Sequence, residues 1–185
     1  MSEVYLINPN YIKSTSNVSD NLDDKYMVSA IKEAQEIDLI QILGEQLLNK
    51  LKELISEDEL KDEGNEVYDD LVHQCQYYLC YNVLSKLCML TSFKINNIGV
   101  NQTSDDRVTN LTMNDTLKLE NYYQKKVDFF CERLQNFILN NHSNLPELCE
   151  CQCNKIKSNL HSSATTNIWL GGDRGQIRNP KKCRK

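Results

Sequence analysis

A mainly α fold is predicted here: a helical bundle of three to four long helices with a projecting loop or hairpin and an extended C-terminal arm. Three features predict it. Apolar residues recur in steps of three and four through residues 25–54, 66–93 and 115–140, the spacing that draws a stripe down one side of a helix. Residues 94–113 lose that period, and so does the chain beyond Pro146. Charged residues make up 25% and hydrophobic ones 40% of 185 residues, an ordinary balance for one globular domain with a sizeable core.

Residues 1–22 read as an extended lead-in, because Pro9 and the polar run from Ser14 to Asn21 disfavour regular structure. Asn21, Asp23 and Asp24 then offer caps for a helix and place acidic charge at its positive end. The first stripe passes through Met27, Ala30, Ala34, Ile37, Ile40, Leu43, Leu47, Leu51 and Leu54. Ile31, Leu39, Leu48 and Ile55 make it wider than a coiled-coil seam, so more than one surface should pack on it. Unbroken, this helix would be about 45 Å long. A bend or stop is expected near Asp38 or Gly44, since Asp caps a following turn and Gly weakens a helix interior. The run from Ser56 to Glu59 has capping-box spacing, which predicts a short helical restart.

In the second stripe Leu71, Cys75, Leu79, Val83 and Leu87 stand four apart, with Val72, Leu84 and Cys88 beside them. An arc this wide belongs to a helix inside a bundle, and Tyr77, Tyr78 and Tyr81 add amphipathic area. Residues 94–113 carry turn signals at Asn96, Asn97, Gly99 and Ser104 to Asp106, and Val108 to Thr112 reads as a short strand. The third stripe uses Tyr123, Val127, Phe130, Leu134 and Phe137, flanked by Cys131 and Ile138, and stops at the polar run before Pro146. The domain is therefore expected to span 23–146, between the lead-in 1–22 and an arm at 147–185.

Charge divides the chain. Residues 155–185 hold eight cations against Asp173, a balance of +7, so residues 1–154 hold −12 of the total −5. A basic tail on an acidic body is a solvated tail, a phosphate contact, or a contact to acidic protein such as a second copy of the body. No run of apolar residues is long enough for a membrane span, and the N-terminus lacks a basic then apolar signal pattern. A reducing, cytosolic site of synthesis is thus expected for the eight cysteines.

Cys149, Cys151 and Cys153 form C-x-C-x-C, and His161, His142 or Cys183 would supply a fourth metal ligand. Structural zinc sites favour longer spacings that turn both sulfurs onto one ion, so no metal and no cofactor is assigned. Cys75, Cys80, Cys88 and Cys131 lie on helical faces and read as small buried hydrophobes, and His73 as a structural histidine. No nucleophile elbow, phosphate loop, zinc-protease motif or dinucleotide fingerprint occurs, and no catalytic residue is assigned.

Ile168, Trp169 and Leu170 place the only tryptophan in a polar, glycine-containing segment with no helix to bury it. They read as an anchor that either docks into a neighbour's pocket or folds back onto its own bundle. Arg174, Arg178, Lys181 and Lys182 follow as the cations of the same candidate partner-binding arm.

These residues together resemble a head–tail connector (adaptor or ring) protein of tailed bacteriophages, of the crAss-like phage type. The likeness rests on Ala30 to Gln35, then Ile37 and Ile42 to Leu48, on the helix 66–93 and on the loop around Gly99. It also rests on the late helix through Phe130 and Phe137, and on Ile168 to Gly172. The cysteine-rich run from Leu148 to Asn154 departs from the family's pattern. The resemblance implies a non-enzymatic virion structural protein at the head–tail junction, assembled in the host bacterial cytoplasm. Its partners would be itself, usually in a twelvefold ring, the portal protein, and other neck or tail ring proteins. DNA would pass through the ring without specific binding, and an acidic body suits a channel that must not grip it. The alternative is a small cytosolic nucleic-acid-binding regulator using the basic tail, with a metal site among its late cysteines.

Overall fold

The computed structural model describes residues 3–96, 99–102, 112–148 and 156, with backbone alone from 93 to 102. The elements run α1 (Pro9–Thr15), α2 (Asp24–Glu33), a π-helical segment (Ala34–Leu39), α3 (Ile40–Leu43), α4 (Glu45–Ser56) and α5 (Glu66–Ser92). Strands β1 (Phe93–Asn96) and β2 (Gly99–Gln102), α6 (Met113–Asn140) and a 3-10 turn (His142–Asn144) complete the order. The fold is mainly helical, as the three stripes predict.

The lead-in is more structured than expected. Pro9 opens α1 instead of preventing it, because at the first helical position its missing N–H has no partner to lose. The Asn8 side chain caps that turn by accepting from the Tyr11 N–H at 2.8 Å. Leu6, Ile7 and Ile12 are buried in the common core. Two glutamines hold the extended piece before α1. Gln35 Oε1 accepts from the Leu6 N–H at 2.9 Å, and its Nε2 donates to the Val4 carbonyl at 3.0 Å. From α5, Gln76 Nε2 donates to the Leu6 carbonyl at 3.1 Å.

The first rod breaks at both expected places. A π-helical segment covers Asp38, and Gly44 ends α3 with φ 80° and ψ 162°, a conformation reserved for glycine. The π segment inserts extra backbone into the turn and rotates the residues after it, so the 3.6 period fails there. Ile37, on the core stripe by sequence, is 52% exposed, while Leu39 and Gln35 are fully buried. The helical restart at Ser56 does not form. The Ser56 hydroxyl donates back to the Glu53 carbonyl, and Asp58 turns the chain with φ 58°.

Helix α5 is the central element, packed by α2, the π segment and α6. Its Leu71, Cys75, Leu79, Val83 and Leu87 are buried, along with neighbours on either side. After α5 the chain turns into a two-stranded antiparallel hairpin in which Ile95 pairs with Val100. The expected strand at 108–112 lies outside the described residues except for Thr112, which caps α6 by accepting from the Asp115 N–H.

Pro146 does not end the domain. Leu145 is buried, Leu148 packs against the core, and Ile156 is 2% exposed within the same cluster. The Tyr68 hydroxyl donates to the Glu147 carboxylate at 2.9 Å, tying this segment to the start of α5. Burial and that carboxylate push the Tyr68 hydroxyl up to about 12.

Candidate interaction surface

Helix α6 lies along α5 by a narrow line. Thr116, Val127, Leu134 and Ile138 are its buried residues, spaced so that they fall on one side of the helix. Packing within the chain thus covers a stripe, not a broad arc. Apolar and aromatic side chains on the rest of α6 stay open, with Phe129 at 61% and Tyr122 at 54% exposed.

One flank of the α5–α6 pair is a layer of rings. Phe130 stacks on Tyr81 with centroids 5.0 Å apart and 7° between planes, and on Tyr77 at 5.7 Å. Phe129 meets Phe130 edge-on at 5.2 Å, and Tyr122 meets Tyr123 edge-on at 5.4 Å. Offset and edge-on pairs satisfy the ring quadrupoles, so the rings pack on one another without being deeply buried. Two cations sit on it. Lys126 Nζ stands 4.5 Å from the Tyr122 ring centre and 5.1 Å from that of Tyr81, and Arg133 Cζ is 5.6 Å from the Tyr77 ring. A hydrogen bond with Tyr122 holds the Lys126 ammonium above its ordinary value. The flank therefore offers flat apolar area with fixed positive charge.

The other side of α6 borders a polar cleft of about 230 Å³, where the π segment, α5 and α6 meet. Asn82, nearly buried, donates from Nδ2 to Asp38 Oδ2 at 3.0 Å and to the Tyr78 hydroxyl at 3.1 Å. Lys86 bridges Asp38 at 3.0 Å and Glu33 at 2.9 Å. Burial alone would lower the Lys86 ammonium, but those two carboxylates outweigh it and hold it above the usual lysine range. Asp38, Asn82 and Lys86 are bonded to one another or to their neighbours, so the cleft joins three elements, and Glu120 of α6 also lines it.

The sequence singled out other residues. Ile168, Trp169, Leu170, Arg174, Arg178, Lys181 and Lys182 lie outside the described residues, as do Cys149, Cys151 and Cys153. Cys75, Cys80 and Cys88 are buried and Cys131 is half-buried. Burial pushes the thiols of Cys80 and Cys131 up to about 11 and Cys75 higher still. His73 is on the surface, its Nε2 3.8 Å from Asp69 Oδ2. Among the described residues no three His, Cys, Asp or Glu side chains converge as metal ligands. Among the same residues no helix is long and apolar enough to cross a membrane. Sequence reasoning missed Phe129 and Tyr122 as surface residues. Their positions one residue before the stripe residues Tyr123 and Phe130 were the available signal.

The profile of a family of unknown function, DUF6712, matches residues 39–158. The chain belongs to that family. The matched span starts in the π segment, takes in α3 to α6, and ends just past Ile156, so it includes the ring layer and the late core residue. No curated protein and no solved structure matches the chain.

Proposed function

We propose that this chain is a structural protein of a tailed-phage virion: an adaptor or neck ring between the portal and the tail. It leaves a channel for DNA and works by assembly without catalysis. The observation that carries this reading is the open apolar flank of α6. Large exposed aromatic side chains on a packed helix pair, rimmed by cations, favour a macromolecular partner over a small substrate. The resemblance carried by Ala30 to Leu48 and by Ile168 to Gly172 supplies the kind of partner. In this reading the arm with Trp169 reaches the neighbouring ring, and the acidic body lines or borders the channel.

The test is electron microscopy of the full chain mixed with the portal protein of the same phage. A ring of density stacked on the portal is the expected result. Portal particles indistinguishable from portal alone, at saturating amounts of the chain, would contradict it. The nucleic-acid-binding reading predicts instead an affinity for DNA that falls steeply between two salt concentrations.

A further inference from the structure

Within residues 120–133, α6 carries opposite charges on opposite flanks. Lys126 and Arg133 sit on the ring layer beside Tyr122 and Phe129. Glu120, Asp128 and Glu132 fall roughly 100–160° around the helix from those cations, at 100° per residue. Asp128 and Glu132 are exposed, and Glu120 is half-buried. The two sets also stand at the same height. At 1.5 Å per residue, Lys126 and Asp128 differ by about 3 Å along the axis, and Arg133 and Glu132 by about 1.5 Å. Lys125 lies between the flanks, on the outermost line of the helix.

We infer that this helix is a head-to-tail contact between copies: the aromatic, cationic flank of one α6 docks on the acidic flank of the next. The inference rests on the connector reading for what such an assembly is for. A second copy is the occupant the charges select, because a sideways shift of a parallel copy brings Lys126 and Arg133 to the level of Asp128 and Glu132. The two-fold alternative would set Lys126 and Arg133 against themselves, and like charges across an interface are repelled. A contact between two different flanks leaves each copy with one flank free for the next, so it repeats around a ring or along a filament. Burial of Phe129 and Tyr122 drives the association, and the charges fix its direction and register.

The test is sedimentation of the full chain over a range of concentrations, with far-ultraviolet circular dichroism to confirm that each variant is folded. The native chain should associate as concentration rises. The K126E/R133E variant makes both flanks acidic, and D128K/E132K makes both basic. Each should associate about tenfold more weakly or worse. An equimolar mixture of the two variants, and the chain carrying all four changes, should both recover association. A native chain that stays monomeric throughout overturns the contact; if that chain still stacks on the portal, the connector reading survives without it. A D128K/E132K variant that associates like the native chain overturns the pairing of unlike flanks, even where K126E/R133E alters association.

Discussion

Gln35 shows how one side chain positions a segment that has little structure of its own. It is fully buried, yet both ends of its amide are used by the backbone of Val4 and Leu6. Gln35→Leu keeps the volume and removes both bonds, leaving a buried N–H and carbonyl unpaired. A loss of about 1–3 kcal/mol in unfolding free energy is expected. Urea denaturation measures it, and faster proteolysis at residues 3–8 should accompany it. The signal was legible: Gln35 stands four residues from Ile31 and Leu39, a polar residue on an apolar row. Its bonding partners were not, because they lie far earlier in the chain, before α1. The helical cysteines behave as the small hydrophobes their spacing predicts, since that spacing alone places them on the core face. With thiols held well above neutral pH by burial, Cys75, Cys80, Cys88 and Cys131 should resist alkylation at pH 7.5 in the folded chain. Peptide mass spectrometry before and after denaturation checks this, and rapid native labelling at Cys75 would contradict the packing.

Among the elements, the π-helical segment sets which residues of the first rod face the core. Periodicity places both Ile37 and Leu39 on the apolar stripe, but the segment turns Ile37 outward and leaves Leu39 buried. Ile37→Lys should change stability by no more than about 0.5 kcal/mol, whereas Leu39→Ala should cost about 2–5 kcal/mol. Thermal or urea unfolding of the two variants decides it, and the reverse order would mean an unbroken α-helix. The break itself was foreseeable from Asp38 and Gly44. Its effect on phase was not, because an inserted residue leaves no compositional mark. Helix α1 escapes a sequence reading for a different reason: Pro9 alone looks like a breaker, while Asn8 before it makes a cap and a first-turn proline.

For the whole molecule, the broad stripe of 27–54 is largely buried within the chain, its first half packed on α1 and α5. Among the described residues it is α6 that stays open, although its stripe predicts packing like the others. The three helical stretches and their order were legible because each stripe continues over many turns. The end of the domain was not, since Leu145, Leu148 and Ile156 are too widely spaced to form a stripe, yet all join the core. A chain cut after Pro146 should therefore unfold at a lower temperature than the full chain; a shared melting temperature would contradict the burial of Ile156. The arm expected at 147–185 thus begins with residues that belong to the core, and its candidate partner-binding residues from Ile168 onward lie outside the described residues.

The central proposal is that this chain acts by assembling with other protein, and co-sedimentation of the full chain with the portal protein proposed as its partner tests that most directly. The account predicts that the 21.5 kDa chain leaves the slow boundary and moves with the portal in a fixed, saturable ratio. A chain that sediments as a free monomer at every ratio and concentration contradicts it.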